Sequence, residues 1–249
     1  MTSQLKISVE RLYEIFSKYN GNPNMQGSSN YDALESWNLE LFSKQLKDLT
    51  ADDLSRFAGK AMTTWGDVDD YKHFLPRIFE LTAKLNTPYE IWIAFEKLEY
   101  GNWSAWDEDE RNVIHEYMLA LWDNLLKDDT EKAEWEFMDY FSSIAHFYPK
   151  FSDLIEIWDQ NTDKTATKHL ANFIFNERAN IFDKGFIEGF HKKSDNIKEL
   201  LNWLFSDKII MRLEKAFYNY DYENFAVRIS WADKILNDEK RNRADNTGN

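Results

Sequence analysis

The chain contains no cysteine, so it forms no disulfide and presents no thiolate to a substrate, an iron–sulfur cluster or a zinc ion. Glycine and proline are scarce, eight and four among 249 residues. So few breakers leave little room for the tight turns of a β architecture. Long hydrophobic runs are lacking as well. No stretch approaches the roughly 18 apolar residues that a membrane-spanning helix needs. The opening MTSQLKISVERLYEIF lacks the basic start and apolar run of a signal peptide. With cysteine absent, these features predict a cytoplasmic protein. Glycine-rich phosphate loops and a His-Glu-x-x-His zinc motif are also missing, so neither a cofactor nor a metal is expected.

Positive charge is the next shortage. Thirty basic residues face 44 acidic ones, a net charge of −14. No dense basic run exists to neutralise phosphates, which excludes nucleic acid as a partner and argues against an anionic membrane surface. The acidity is uneven. Residues 106–139 hold twelve acidic and three basic residues, a local balance of −9. Asp107, Glu108, Asp109 and Glu110 fall in a predicted first helical turn, where carboxylates interact favourably with free backbone N–H groups. The rest predicts a solvated acidic surface, able to dock a basic protein partner.

What is abundant is aromatic: 10 Trp, 12 Tyr and 18 Phe. Apolar residues recur at three- and four-residue intervals almost throughout, and alternating runs are nearly absent. This predicts an all-α fold of eleven or twelve helices. The expected arrangement is an irregular αα-superhelix, α-solenoid-like, with a compact helical bundle as the alternative. Predicted helices cover residues 3–19, 31–47, 50–63, 107–127, 163–180 and 222–236, among others. Thr50 and Ser194 are expected caps, Asp129 or Thr130 and Ser206 or Asp207 are expected to start two further helices, and Pro88 and Pro149 are expected first helical residues. The segment NGNPNMQGSSN, residues 20–30, reads as a loop by its turn chemistry. Length predicts a single all-helical domain over 1–236, and composition predicts a disordered polar tail over 237–249.

The stretch TTWGDVDDYKHFLPRIFEL, residues 63–81, mixes residue types that need a special reason to be together. If Asp67 caps a helix, Asp69 and Asp70 occupy its second and third positions, and all three carboxylates act at a helix N-terminus. Leu75 precedes Pro76, which predicts a kink or a fresh start there. His73 lies four residues after Asp69 and three after Asp70. That spacing can hold a carboxylate and an imidazole on one metal, or let the carboxylate orient the ring. Trp65, Asp69, Asp70, His73 and Arg77 are therefore the candidate ligand-binding set, with Arg77 holding an anion. The competing reading is a capped helix with an Asp–Arg ion pair and a hydrogen-bonded histidine. Other constellations are weaker. Glu188 and His191 supply one Glu-x-x-His where a di-iron site needs two. Asp128 and Asp129 begin an aspartate-rich magnesium motif whose spacing fails at Lys132.

The string WGDVDDYKHFLPR, Trp65 to Arg77, resembles a motif of bacterial proteins of unknown function. The matching parts are the Trp-Gly corner, the Asp pair and the His-Phe-Leu-Pro-Arg step. The resemblance implies a family signature in this segment and assigns no activity, substrate or residue role. Two functions are thus expected. The first is a non-enzymatic interaction protein, an adaptor or neutralising protein, whose acidic surface binds another protein. The alternative is a small-ligand or metal-binding, hydrolase-like protein centred on Asp70, His73 and Arg77.

Overall fold

The computed structural model describes residues 1–187 and 194–247. Among the described residues there are twelve α-helices and no strand. In order they are α1 (Ser3–Phe16), α2 (Leu34–Phe42), α3 (Ala51–Lys60), α4 (Val68–Ala83), α5 (Ile91–Tyr100) and α6 (Glu108–Leu126). Then follow α7 (Glu131–Phe147), α8 (Phe151–Gln160), α9 (Lys164–Arg178), α10 (Ser194–Leu204), α11 (Asp207–Asn219) and α12 (Ala226–Thr247). None of the helices is long and apolar enough to cross a membrane. Glu188 and His191, the isolated Glu-x-x-His, lie outside the described residues.

Local chemistry sets six of the helix starts among the described residues. The side chains of Thr2, Thr50, Asp67, Thr130, Asp163 and Ser206 each accept a hydrogen bond from a first-turn backbone N–H. Each such cap contributes about 1 kcal/mol. The prolines behave differently from expectation. Pro149 does not begin α8, which starts at Phe151; instead it holds Tyr148 in an extended conformation and ends α7. Pro88 likewise precedes α5, whose N-cap is Glu90. Pro76 makes no break at all, because α4 runs unbroken through it. One intrahelical hydrogen bond is lost there. Packing offsets that loss, since twelve of the sixteen residues of α4 are buried.

By internal contacts the chain divides into two compact units, Met1–Asn124 and Leu125–Asn249. In the first, α4 packs against α1, α3 and α5. Phe57, Phe74, Phe79 and Phe95 are almost fully excluded from solvent, each burial stabilising by about 2–3 kcal/mol. Phe79 stacks on Tyr117 of α6 at 4.8 Å, and the Tyr117 hydroxyl donates to the Phe79 carbonyl at 2.8 Å.

The second unit is built around Trp158 of α8, which meets Phe141 at 5.6 Å and Phe173 at 5.3 Å. Arg212 of α11 secures this corner by donating to the Trp158 and Asn161 carbonyls at 3.2 and 2.6 Å. Helix α9 continues into a π turn, Ala179–Asp183, and packs along α12. Helix α12 extends well past Leu236 into the segment whose composition predicts disorder. Lys240 pairs there with Asp207 at 2.8 Å, and Arg243 lies 4.9 Å from the Phe205 ring. These lateral contacts give the polar extension partners that its own composition does not reveal.

Candidate functional site

The stretch from Trp65 to Arg77 is a clamp for the loop at residues 20–30. Trp65 is buried against Trp37 and Phe57, each at 5.4 Å. Its indole Nε1 donates to Asn38 Oδ1 at 2.9 Å, and Asn38 Nδ2 donates to the Met25 carbonyl at 2.9 Å. Gly66 N donates to the Gln26 carbonyl at 2.7 Å, and Ser28 N to the Thr64 carbonyl at 2.9 Å. Gly66 adopts φ +68°, a left-handed conformation that disfavours a side chain. A Cβ there would also stand 3.0 Å from Asp70 Oδ2. The Trp-Gly corner is therefore a backbone requirement.

The aspartates act as the helix-start reading predicts. Asp67 Oδ1 accepts from the backbone N–H of Asp69 and Asp70 at 2.9 and 3.0 Å. Asp70 Oδ2 accepts in return from Asp67 N at 3.0 Å, completing a capping box. Asp69 is exposed and Asp70 is buried. Burial pushes the Asp70 carboxyl above its usual range, opposed by hydrogen bonds from Asp67 N and Asn22. The Asn22 contact is another tie to the 20–30 loop.

His73 and Arg77 point to other partners. His73 Nδ1 lies 3.0 Å from the Tyr19 carbonyl, and the ring stacks on Phe42 at 5.9 Å. Arg77 is buried; its Nε donates to the Leu49 carbonyl at 2.7 Å and its Nη1 to Glu80 Oε2 at 2.6 Å. Glu80 also accepts from the Tyr13 hydroxyl at 2.7 Å and from Lys84 Nζ at 2.6 Å. The guanidinium is thus committed to a carboxylate and a carbonyl of its own chain. The expected Asp–Arg pair is an Arg–Glu pair. Asp70, His73 and Arg77 are each engaged by a different partner and form no common catalytic geometry. Among the described residues no group of three His, Asp or Glu side chains could hold a metal ion.

The acidic run also resolves residue by residue. Glu110 is not a surface charge. It is fully buried and accepts from Lys72 Nζ at 2.8 Å and from the Tyr19 hydroxyl at 2.6 Å, with Lys18 Nζ 2.9 Å away. Glu116 pairs with Arg11 and Glu134 with Lys168. Those carboxylates are consumed within the fold.

Helix α7 is different. Glu131, Trp135 and Asp139 lie four residues apart, hence on one helical face, and all three are exposed. Trp135 is 86% exposed, the highest value among the large apolar side chains, and among the described residues no ring or cation contacts it. The buried stripe of α7 runs through Ala133, Phe137, Tyr140, Phe141 and Ile144, and Trp135 lies outside it. The carboxylates at four residues on either side were the legible sign that Trp135 faces out. Beside them, burial pushes the Glu136 carboxyl up, Asp139 adds to the effect, and Lys132 at 3.8 Å opposes it.

No protein-family model matches this chain, and neither a curated protein nor a solved structure shows significant similarity to it.

Proposed function

We propose that the chain is a non-enzymatic interaction protein that binds a basic protein partner through the outer face of α7. The observation that carries this reading is Trp135, a solvent-exposed indole held between Glu131 and Asp139. An exposed tryptophan is costly to keep in water and is typical of binding hot spots. Its ring face attracts a cation, and the flanking carboxylates favour the same charge. A lysine or arginine side chain over the indole would satisfy both at once. The arrangement suits an adaptor, or a neutralising protein that covers a partner's basic surface.

A nona-arginine peptide is a direct probe, followed through the Trp135 indole N–H by NMR. The expected result is a saturable shift of that resonance, weakened by salt and abolished by Glu131→Lys with Asp139→Lys. Trp135→Ala should change stability by no more than about 0.5 kcal/mol, as for other exposed substitutions, while weakening the peptide at least tenfold. An unmoved Trp135 resonance, or equal affinity after Trp135→Ala, rejects the reading.

A further inference from the structure

A cavity of about 250 Å³ opens beside α4 in the first unit, lined by Gly21, Leu41, Phe42, Leu49, His73 and Phe74 among others. Its wall is apolar apart from His73 and Lys44, and Lys44 Nζ is already paired with Asp53 at 2.6 Å. His73 is therefore the one side chain lining the wall that can offer a neutral hydrogen-bond acceptor.

The state of that imidazole follows from its partner. A backbone carbonyl only accepts, so the Nδ1 atom 3.0 Å from the Tyr19 carbonyl carries the proton. In the neutral ring Nε2 is then an acceptor with a free lone pair. Gly21 lies close against this wall. A Cβ at Gly21 would stand 2.8 Å from His73 Nε2 and would collide with the Phe42 ring. Any larger residue there would displace the two rings that line the cavity.

The geometry points to a binding site for a small neutral aromatic molecule bearing one hydroxyl or N–H donor, a phenol- or indole-class ligand, with His73 Nε2 accepting its hydrogen bond. Size supports this class, since a cavity of about 150 Å³ accommodates benzene. The rings of Phe42 and Phe74 supply the aromatic wall, and Leu41 and Leu49 the aliphatic one. A charged ligand is disfavoured because no unpaired charge lines the site. The inference is independent of the α7 reading and concerns different helices.

Phenol and anisole differ by a single donor, so the pair tests the claim on the unmodified chain. Titration should give saturable phenol shifts at the His73 imidazole nitrogen and the Phe42 and Phe74 rings. Anisole should bind about tenfold more weakly, the loss of one hydrogen bond. His73→Phe should equalise the two ligands, and Gly21→Ala should weaken both. Absent saturable shifts at these residues, or equal phenol and anisole affinity in the unmodified chain, overturn the proposal. So does a phenol preference that survives His73→Phe.

Discussion

Lys72 Nζ lies 2.8 Å from Glu110 Oε2, with both side chains withdrawn from solvent. The pair joins the middle of the focal stretch to the head of the acidic run, two segments that looked unrelated along the chain. Lys72 also sits 4.2 Å from the Trp106 ring and 4.7 Å from that of Tyr19, and it donates to the Tyr19 hydroxyl at 2.9 Å. For Glu110, burial pushes the carboxyl up, but hydrogen bonds from Lys72, Tyr19 and Lys18 outweigh it and hold it below its ordinary value. Removing one partner strands the other's charge in the interior, whereas replacing both does not. Glu110→Ala should therefore cost about 3–5 kcal/mol in denaturant unfolding, and Glu110→Leu with Lys72→Met should recover most of it.

Acid should act through Glu80. Burial raises this carboxyl, yet hydrogen bonds from Lys84, Tyr13 and Arg77 overcome it and bring its pKa to about 2 from 4.5. A depressed folded value means the stabilisation is complete above the unfolded value and is lost as pH falls through the folded one. Unfolding free energy should drop between pH 4.5 and about 2. Glu80→Gln should be less stable at neutral pH and show a shallower drop across that window.

The second unit should carry a histidine-dependent loss at milder acidity. His169 is buried, stacked on Phe137 at 4.7 Å, with Nε2 2.9 Å from the Asp128 carbonyl. Burial pushes its pKa below the usual 6.5, against the hydrogen bond to Asp128, which favours the charged ring. The folded state thus resists a proton that the unfolded chain accepts. Stability is full above pH 6.5 and should fall as pH goes below it. His169→Gln should flatten this part of the profile measured by thermal unfolding.

Gly66→Ala should destabilise by about 1–2 kcal/mol, because an L side chain in the left-handed region is strained. The Asp70 carboxylate adjoins the same site, with Oδ2 3.0 Å from the new Cβ. Faster amide exchange at residue 66 and Ser28 would accompany the loss, since their N–H groups donate across the corner to the Gln26 and Thr64 carbonyls. Unchanged stability would remove the clamp as the reason for this glycine.

Most helices were legible in the sequence because a helix is a local structure. Thr50, Asp67, Thr130 and Ser206 cap helices through atoms two or three residues away, so their roles follow from spacing alone. The three aspartates of the focal stretch were read correctly for that reason. The ends proved less legible. Pro149 ends α7 instead of starting α8, and α12 outruns its apolar pattern because Asp207 and Phe205 hold its polar extension.

The candidate site divides along the same line. Sequence by itself determined an all-helical chain, a capped α4 and a local excess of carboxylates, since propensity, capping and charge count are properties of neighbours in the chain. Only the tertiary structure decided which charges are used up. Arg77 Nε is spent on Leu49, Glu110 on Lys72, and His73 Nδ1 on Tyr19, all by hydrogen bonds that require folded proximity. Among the groups that folding leaves unspent are the outward face of Trp135 and the Nε2 atom of His73. Burial and pairing, which depend on residues distant in the chain, separate those groups from the many that resemble them in sequence.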